Sequence, residues 1–249
     1  MDIIVCVKRV PDTETRIRIA EDGTDIDPSG VKYIISPYDE FAVEAALRTV
    51  EAAGEGEVTL VTLGGSEAQE TLRAGMAMGA DKGVLLEGAS STDGLATAKA
   101  LAAELEGSEA PLVLLGVKAA DDDQSQVGPM LGVLLDRPTV TGVTSFEVGD
   151  GVVRCEREVE GGVEVVEADL PAVLSITKGT FEPRYASLKG IMAAKRKPLE
   201  TREATASESR ISVSKLAYPP ERGEGRIVGE GPDAVPELVR LLREEANAL

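Results

Sequence analysis

Three consecutive aspartates, Asp121, Asp122 and Asp123, are the residues of this sequence whose types and spacing most clearly suggest chemistry. They stand in the segment GVKAADDDQSQVGP, 116–129, after the apolar run APLVLLG, which is typical of a buried strand. Adjacent carboxylates repel one another and repel a phosphate. Yet the carboxyl end of such a strand is where open α/β sheets bind their ligands. The residues that follow the aspartates must therefore explain their position.

The segment QSQVGP, which comes next, could bind a phosphate. It predicts the start of a helix, whose first backbone N–H groups have no partner within the helix. Ser125 and Gln126 could add side-chain donors, and Gly128 permits close backbone approach. Some of the aspartates would then cap helix N–H groups or accept from an adenine or a ribose. Two alternatives stay open: a solvated acidic turn, and carboxylates that hold a divalent cation.

The rest of the sequence excludes several kinds of chemistry. The chain has no histidine, which excludes His-based triads, His metal sites and imidazole acid–base catalysis. Cys6 and Cys155 lack metal-binding spacing and lie in apparent strands, so we expect free, partly buried thiols. Neither G-x-G-x-x-G nor a Walker motif is present, and no pair of carboxylates is placed for acid–base catalysis. A standard NAD site or P-loop is therefore not expected.

Composition and charge set further bounds. The 249 residues suffice for one large α/β domain, or for one domain with an appended arm. A net charge of −18 disfavours binding to nucleic acid or to an anionic membrane, and it favours solubility or adaptation to a very salty cytosol. No apolar run reaches the length of a membrane span, and the start MDIIVCVKRVP is typical of a first strand and not of a signal peptide. We expect a cytoplasmic protein, adapted to high salt.

Alternating strand and helix patterns must position the aspartates. Strand-like apolar runs without polar alternation predict a mainly parallel, doubly wound α/β sheet with right-handed crossovers. Two stretches break the rhythm and predict antiparallel hairpins, 15–36 and 139–170. The predicted parallel strands lie at 3–7, 57–63, 83–87, 111–116 and 172–177.

Capping signals mark the helices between these strands. Ser36 precedes Pro37 as an N-cap, and Gly54 ends the first helix. Ser66 and Gln69 predict a capping box for the second helix. Gly79 is the predicted stop of the second helix, and two further helices are predicted at 92–107 and 124–136.

Four segments should meet beyond the carboxyl ends of the strands. Three of them, 6–9, 36–39 and 63–66, follow strands or enter helices, and the fourth is the aspartate segment. A ligand at the point where the strand order reverses would contact all four.

Two segments favour interactions with other proteins. Residues 178–202 carry seven basic residues against two acidic ones, a contrast that suits docking to an acidic partner or to another subunit, or else a solvated basic turn. Near the end of the chain, Val235, Leu238, Val239 and Leu242 share one helical face. That face could pack on the chain's own domain or on a partner subunit.

Six blocks of the sequence, in order, resemble the β subunit of electron transfer flavoprotein. They are VCVKRVPDTETRIRI, SPYDEFAVEAALR, LRAGMAMGADKGVLL, LLGVKAADDDQSQVGP, REVEGGVEVVEADLPAVLSI and EPRYASLKGIMAAKRK, from Met1 to about Lys197. The resemblance implies a sheet of the adenine-nucleotide-binding type and a heterodimer whose α subunit holds most of the FAD. It also implies a structural AMP in this subunit and electron transfer from dehydrogenases, notably acyl-CoA dehydrogenases in fatty acid oxidation, to a membrane quinone oxidoreductase.

The resemblance assigns site residues as well. Tyr38 would lie nearest the flavin ring, and residues 184–193 would form a partner-docking loop with Leu188 as its apolar anchor. The domain division it suggests is 1–200 for the nucleotide-binding domain and 201–249 for an arm on the α subunit. The implied docking residues are Arg184, Tyr185, Leu188, Lys189, Ile191 and Met192. The implied nucleotide contacts are Cys6, Ser36, Pro37, Tyr38, Asp39, Leu63, Val117, Lys118, Ala119, Ala120, Asp121, Asp122, Asp123, Gln124, Ser125, Gln126, Val127 and Gly128.

Departures from the family pattern leave one choice open. QSQVGP resembles the bifurcating branch, whose β subunit binds a second FAD in place of AMP, whereas the three aspartates resemble the AMP branch. Ser36 stands where many members have Asn, and Ala193 where relatives often have Lys. We expect a non-catalytic carrier subunit. An ATP-using hydrolase and a self-dimerising stress-type binding module are the other classes considered.

Overall fold

The computed structural model describes residues 1–88, 93–221 and 225–249, and it divides into two compact units, Met1–Lys215 and Leu216–Leu249. The first unit contains a nine-stranded sheet with helices and a separate two-stranded sheet, which confirms the predicted α/β class. The strands are β1 (Ile3–Cys6), β2 (Arg9–Pro11), β3 (Tyr33–Ile35), β4 (Val58–Gly64), β5 (Lys82–Glu87), β6 (Leu112–Gly116), β7 (Thr139–Val148), β8 (Val152–Val159), β9 (Gly162–Asp169), β10 (Ala172–Ile176) and β11 (Leu199–Glu203). The helices are α1 (Pro37–Ala53), α2 (Gln69–Met78), α3 (Gly94–Leu105), α4 (Val127–Leu134), α5 (Leu188–Ala194) and, in the second unit, α6 (Val235–Glu244).

The large sheet is doubly wound about its central strand. Its order is β11-β5-β4-β1-β6-β10-β7-β8-β9, and all neighbours are parallel except the antiparallel pairs β7–β8 and β8–β9. The chain leaves β1 toward β4 and β5, and later returns to the other side of β1 through β6 and β10. The strand order therefore reverses between β1 and β6, where a ligand site is expected.

Side chains of the central strands alternate between two apolar cores, one on each face of the sheet. Leu112 and Leu114 pack in the core that contains residues of α1 and α2. Val113 and Leu115 pack in the other, with residues of α3 and α4. This burial on both faces explains why the strands are continuous apolar runs in the sequence.

Several helix boundaries agree with the capping signals, and one does not. Helix α1 begins at Pro37 and ends before Gly54, which is left-handed at φ 75°, as predicted. The predicted capping box is wrong: Ser66 lies in a 3₁₀ turn, and the N-cap residue of α2 is Ala68. The fourth helix begins at Val127, later than expected, because the preceding residues form a loop. Thr92, the predicted start of the third helix, lies outside the described residues.

The antiparallel stretch 139–170 and the free thiols were also predicted. Strands β7, β8 and β9 form an antiparallel meander that extends the parallel sheet. The small hairpin pairs β3 with β2, which lies before the predicted stretch 15–36. Cys6 and Cys155 are free and buried. In the residues that the structure describes, no helix is long and apolar enough to span a membrane.

Two elements in the basic segment were not predicted. Residues 188–194 form α5, whose N-cap Ser187 accepts a hydrogen bond from the Gly190 N–H at 3.0 Å. Residues 199–203 form β11, an edge strand parallel to β5. The domain boundary drawn at residue 200 thus falls within a strand of the sheet.

The second unit contains the predicted C-terminal helix, α6. Arg240 pairs with Glu237 and Glu244 along its polar side. Of the four residues of the predicted apolar stripe, Val235 and Leu238 are 52% and 42% exposed, and Val239 and Leu242 are half-buried. Half of the stripe therefore remains at the surface of this unit.

Candidate nucleotide site and docking surface

Asp39 joins the two strands between which the sheet order reverses. It lies in the first turn of α1, and its side chain is buried. Its Oδ2 accepts a hydrogen bond from the Lys8 N–H just after β1 at 2.7 Å, and its Oδ1 accepts one from the Gly116 N–H at the end of β6 at 2.8 Å. A Cβ at Gly116 would lie only 2.6 Å from that Oδ1, so the close approach requires glycine.

Burial dominates the protonation of this region. It raises the pKa of Asp39 to about 7, although the two N–H donors and Lys8 act in the opposite direction. Burial, together with the nearby Asp39 carboxylate, also raises the pKa of the Cys6 thiol to about 12. Cys6 is thus a neutral, buried thiol at the end of β1, and it is not suited to act as a nucleophile at neutral pH.

Lys8 holds two of the three aspartates. Its ammonium group lies 2.8 Å from Asp121 Oδ1 and 2.8 Å from Asp122 Oδ2. Burial alone would lower the pKa of Lys8, but the hydrogen bonds to these carboxylates outweigh it and raise the pKa. Since Lys8 follows β1 and the aspartates follow β6, these ion pairs link the loops on both sides of the reversal point.

Lys118 holds the third aspartate. Its ammonium group lies 2.8 Å from Asp123 Oδ2 and 5.4 Å from the centre of the Tyr38 ring, within the range of a cation–π contact. Three carboxylates paired with two ammonium groups leave a local charge of −1 (−3 + 2), instead of −3. The ion pairs therefore remove most of the repulsion that the three aspartates would exert on a phosphate.

The loop between the aspartates and α4 has an unusual backbone. Asp123 and Ser125 are left-handed, at φ 51° and φ 54°. A Cβ at Gly94, the first residue of α3, would lie 3.2 Å from Gln126 Oε1 and 3.3 Å from Gln124 Oε1, so both glutamines lie against that helix start. The loop therefore bridges the N-termini of α3 and α4.

Two backbone N–H groups at the start of α4 are available to a ligand. Within the described parts of the chain, no hydrogen bond is formed by the N–H groups of Val127 and Gly128, and the next residue is a proline. Gly128 is packed closely, since a Cβ there would lie 3.4 Å from Ser175 Cβ. These two N–H groups lie where the sequence predicted free donors at a helix start, whereas Ser125 and Gln126 precede the helix.

Two buried donors near Asp39 have no hydrogen-bond partner among the described residues. Ser36 Oγ and Arg9 Nε are buried without a hydrogen bond among the described residues. They are neighbours through the backbone, because the Ser36 N–H donates to Lys8 O at 2.9 Å and Arg9 pairs with Ile35 in the β2–β3 ladder. An unpaired buried donor costs roughly 1–3 kcal/mol, so a polar ligand at this position would be stabilising. The residues present therefore fit a bound nucleotide.

The remaining predicted contacts lie along the same edge of the sheet. Leu63 is near the end of β4, two residues beyond Val61, which is level with Cys6 of β1. Pro37 is the first residue of α1, and the Val117 N–H donates to Ile176 O at 2.8 Å. Ala119 O accepts from the Asp123 N–H at 3.0 Å, which closes the turn through Ala120.

The aspartates of these loops pair with lysines. In the described ranges, no group of three or more His, Cys, Asp or Glu side chains is arranged to hold a metal ion. The three aspartates bind lysines instead. Two surface grooves, of about 360 and 440 Å³, are lined by other residues, from α3 and α4 in one case and from α1 and β7 in the other.

The predicted docking loop presents an apolar surface. Tyr185 is 99% exposed, Leu188 83% and Met192 70%, and Ile191 is also exposed. We call these four residues the docking patch. Lys189, which lies among them on α5, is exposed and forms no ion pair with the described residues.

Not all the basic residues of 178–202 point outward. Arg184 binds Glu44 and Glu51 of α1, Arg202 binds Glu104 and Glu200, and the Lys197 ammonium donates to three backbone carbonyls at the end of α2. The predicted docking residue Arg184 is thus held against α1. Lys178, Lys189, Lys195 and Arg196 remain exposed.

Lys8, Gly116 and Glu44 belong to no motif that marks them as site residues in the sequence. Lys8 and Gly116 lie within the segments expected to converge, but pairing across 113 residues of sequence leaves no local signal. Glu44 did have a local signal in the sequence, because it is an acidic residue within the buried run 42–47 of α1, with Arg48 one turn later. A charge on an apolar helical face predicts a buried ion pair.

The fold and the site together define a doubly wound α/β protein whose ligand-binding loops converge where the strand order reverses. The electron transfer flavoprotein domain matches residues 24–207. The chain belongs to the electron transfer flavoprotein family.

Relatives of the chain include β subunits of that family. The electron transfer flavoprotein subunit beta of Syntrophomonas wolfei is 39% identical over 233 residues, which cover 94% of this chain and 92% of the relative. The subunit of Bradyrhizobium diazoefficiens is 38% identical over 255 residues and the full length of both chains. That of Mus musculus is 38% identical over 96% of this chain and 97% of the relative.

Proposed function

We propose that this chain is the β subunit of a heterodimeric electron transfer flavoprotein. The complex takes electrons from dehydrogenases such as acyl-CoA dehydrogenases and passes them to a membrane quinone oxidoreductase. The observation that carries the proposal is the set of converging loops held by Asp39 and Lys8, in a chain that is similar to β subunits along nearly its whole length. In this role the chain has no turnover of its own.

The nucleotide in this subunit is AMP. Its phosphate lies at the Val127 and Gly128 N–H groups, and the paired aspartates leave that place only weakly negative. The unpaired Ser36 hydroxyl supplies a donor for the adenosine. These contacts bind the nucleotide without any covalent chemistry, which fits a structural role.

FAD supplies the redox chemistry of the complex, and the α subunit holds most of it. Lys118 pairs with Asp123 and also lies 5.4 Å from the centre of the Tyr38 ring, so Tyr38 is next to the aspartate loop. We assign the surface around Tyr38 to the flavin. A second FAD in place of AMP is the alternative, which the segment QSQVGP favours. In that case the same loops hold a redox-active cofactor.

The docking patch binds the dehydrogenase. An exposed leucine surrounded by further apolar side chains and by unpaired cations suits an anchor that enters a partner's pocket. The exposed face of α6, in the second unit, is assigned to the α subunit. We place the protein in the cytoplasm, and we assign it to a cell with high internal salt on the basis of its charge of −18.

The docking role is tested by steady-state reduction of the heterodimer by an acyl-CoA dehydrogenase. Leu188→Ala should raise the KM for the heterodimer about tenfold, the factor that about 1.4 kcal/mol of lost binding represents, and leave its flavin content unchanged. Val163→Ala is a matched control, because Val163 is also exposed, at 60%, but lies on β9. Equal KM values for Leu188→Ala and the wild type would refute the docking assignment.

A further inference from the structure

The docking patch lies between two ends that are fixed to the body of the first unit. The four side chains of the patch are exposed, whereas the residue on its N-terminal side, Arg184, is half-buried. Next to Ile191, Gly190 lies against the end of α2, since a Cβ there would lie 2.4 Å from Ala77 O. The contacts at the two ends of the segment 185–192 act together with this one to hold the patch.

At the N-terminal end, Arg184 makes an extended ion-pair network with α1. Its Nε lies 2.7 Å from Glu44 Oε2, and its backbone N–H also donates to that oxygen, at 3.2 Å. Its Nη1 and Nη2 lie 2.6 and 3.0 Å from the two carboxylate oxygens of Glu51, a bidentate pair. We call Arg184, Glu44 and Glu51 the brace.

The brace is preorganised by a second arginine. Arg48 Nε lies 2.6 Å from Glu44 Oε1, and its terminal nitrogens donate to the carbonyls of Thr180 and Glu182 at 3.2 and 3.3 Å. The Glu44 side chain is only 2% exposed. Burial would raise the pKa of Glu44, but the hydrogen bonds from Arg184 and Arg48 outweigh it and hold the pKa below its ordinary value, so the carboxylate remains charged.

The C-terminal end of the patch is fixed to α2. Arg73 Nη1 of that helix donates to Ala194 O and, at 2.7 Å, to Lys197 O. The Lys197 ammonium in turn lies 2.8 Å from Gly79 O and 2.7 Å from Ala80 O. Both ends of the patch therefore rest on charged groups bound to helices of the core.

We propose that Arg184 is a positioning residue of the docking surface: bound to Glu44 and Glu51 of α1, it fixes the path of the chain that presents Leu188 to the partner. It thus acts by holding the patch in place, and its charge does not contact the partner directly. A rigid patch loses little conformational entropy on docking, whereas a loose one must be ordered by the partner. The inference rests on the proposed docking function.

The test uses the heterodimer and its reduction by an acyl-CoA dehydrogenase. Arg184→Gln should raise the KM for the heterodimer about tenfold and leave kcat and the nucleotide content unchanged. Arg184→Lys, which keeps the charge but loses the bidentate geometry, should restore only part of the affinity. Arg157→Gln is the control, because Arg157 forms an exposed pair with Glu164 in the β8–β9 hairpin.

Combination with Leu188→Ala separates the brace from direct contact. If Arg184 acts through the patch, Arg184→Gln adds little to the KM of Leu188→Ala, because the anchor that it positions is already gone. Multiplicative effects of the two substitutions, or a wild-type KM for Arg184→Gln, would overturn the inference. A wild-type KM for Leu188→Ala would instead refute the docking function itself.

A milder variant covers the case in which Arg184→Gln fails to assemble. Glu51→Gln removes one carboxylate of the brace at an exposed position and leaves the buried Glu44–Arg48 pair in place. It should raise the KM about threefold, again with kcat unchanged. A Glu51→Gln heterodimer with the wild-type KM would contradict the proposal.

Discussion

At the scale of single residues, the site depends on groups that are buried and paired within the protein. The Asp39 carboxylate uses both oxygens to hold backbone N–H groups of two strands, and it has none left over for a ligand without losing one of them. Lys8 and Lys118 similarly form ion pairs with the aspartates. We therefore expect many of these side chains to shape the nucleotide site, while backbone N–H groups and Ser36 contact the ligand.

Asp39→Asn should change how stability depends on pH. Because the folded pKa of Asp39 is raised to about 7, its contribution to the free energy of unfolding is fully present below its ordinary pKa of 3.8 and is lost as pH rises through 7. Asn does not titrate, so the free energy of unfolding of the wild type, relative to that of the variant, should fall by up to about 1.4 kcal/mol per pH unit between about pH 4 and pH 7. Urea unfolding across that range measures it. A constant difference would show that Asp39 does not titrate there.

At the scale of elements, α1 connects the two functional surfaces. Its first turn contributes Tyr38 and Asp39 to the proposed nucleotide site, and Glu44 and Glu51, further along, contribute to the brace. The loops after β1 and β6 are likewise held to each other by charge. Changes in these pairings should affect one surface at a time, since each uses different side chains.

Lys8→Ala should weaken nucleotide binding. Without Lys8, the three aspartates keep only Lys118, and the local charge falls from −1 to −2 (−3 + 1), which opposes a phosphate. We expect the Kd for the nucleotide to rise about tenfold. Nucleotide retained after dialysis of the heterodimer provides the measurement.

Lys82→Ala is the matched control for that experiment. Lys82 pairs with Glu57 at 2.9 Å, but at the start of β5 and thus at the amino-terminal edge of the parallel strands. It should retain the nucleotide as the wild type does. If the Lys8→Ala and Lys82→Ala heterodimers retain equal amounts of nucleotide, neutralisation of the aspartates by Lys8 does not contribute to nucleotide binding.

Elements with a strong local pattern were predictable, and those defined by distant contacts were not. The apolar runs predicted all five central parallel strands, and Pro37 and Gly54 predicted the bounds of α1. Strand β11, of sequence LETRE, is almost wholly exposed, so it lacks an apolar run and exists through its pairing with β5. At the site, the sequence predicted which segments converge, but pairing such as that of Lys8 with Asp121 depends on the folded topology.

At the scale of the whole molecule, the excess of acidic residues should make stability depend on salt. There are 44 acidic and 26 basic residues, and their net repulsion opposes the folded state. The Debye length falls from about 10 Å at 0.1 M salt to about 3 Å at 1 M, so KCl should screen the repulsion. We expect the Tm to rise by at least about 3 °C over that range, as measured by circular dichroism. A Tm that falls with KCl would contradict a high-salt origin.

The central claim is that this chain is a carrier subunit with a nucleotide of its own where the strand order reverses. The most direct measurement is to co-express the chain with its α subunit, denature the purified heterodimer and quantify the nucleotides that it releases. We expect one FAD and one AMP for each heterodimer. Two FAD without AMP would establish the bifurcating alternative for the same loops, and a single FAD with no second nucleotide would contradict the assignment of the site.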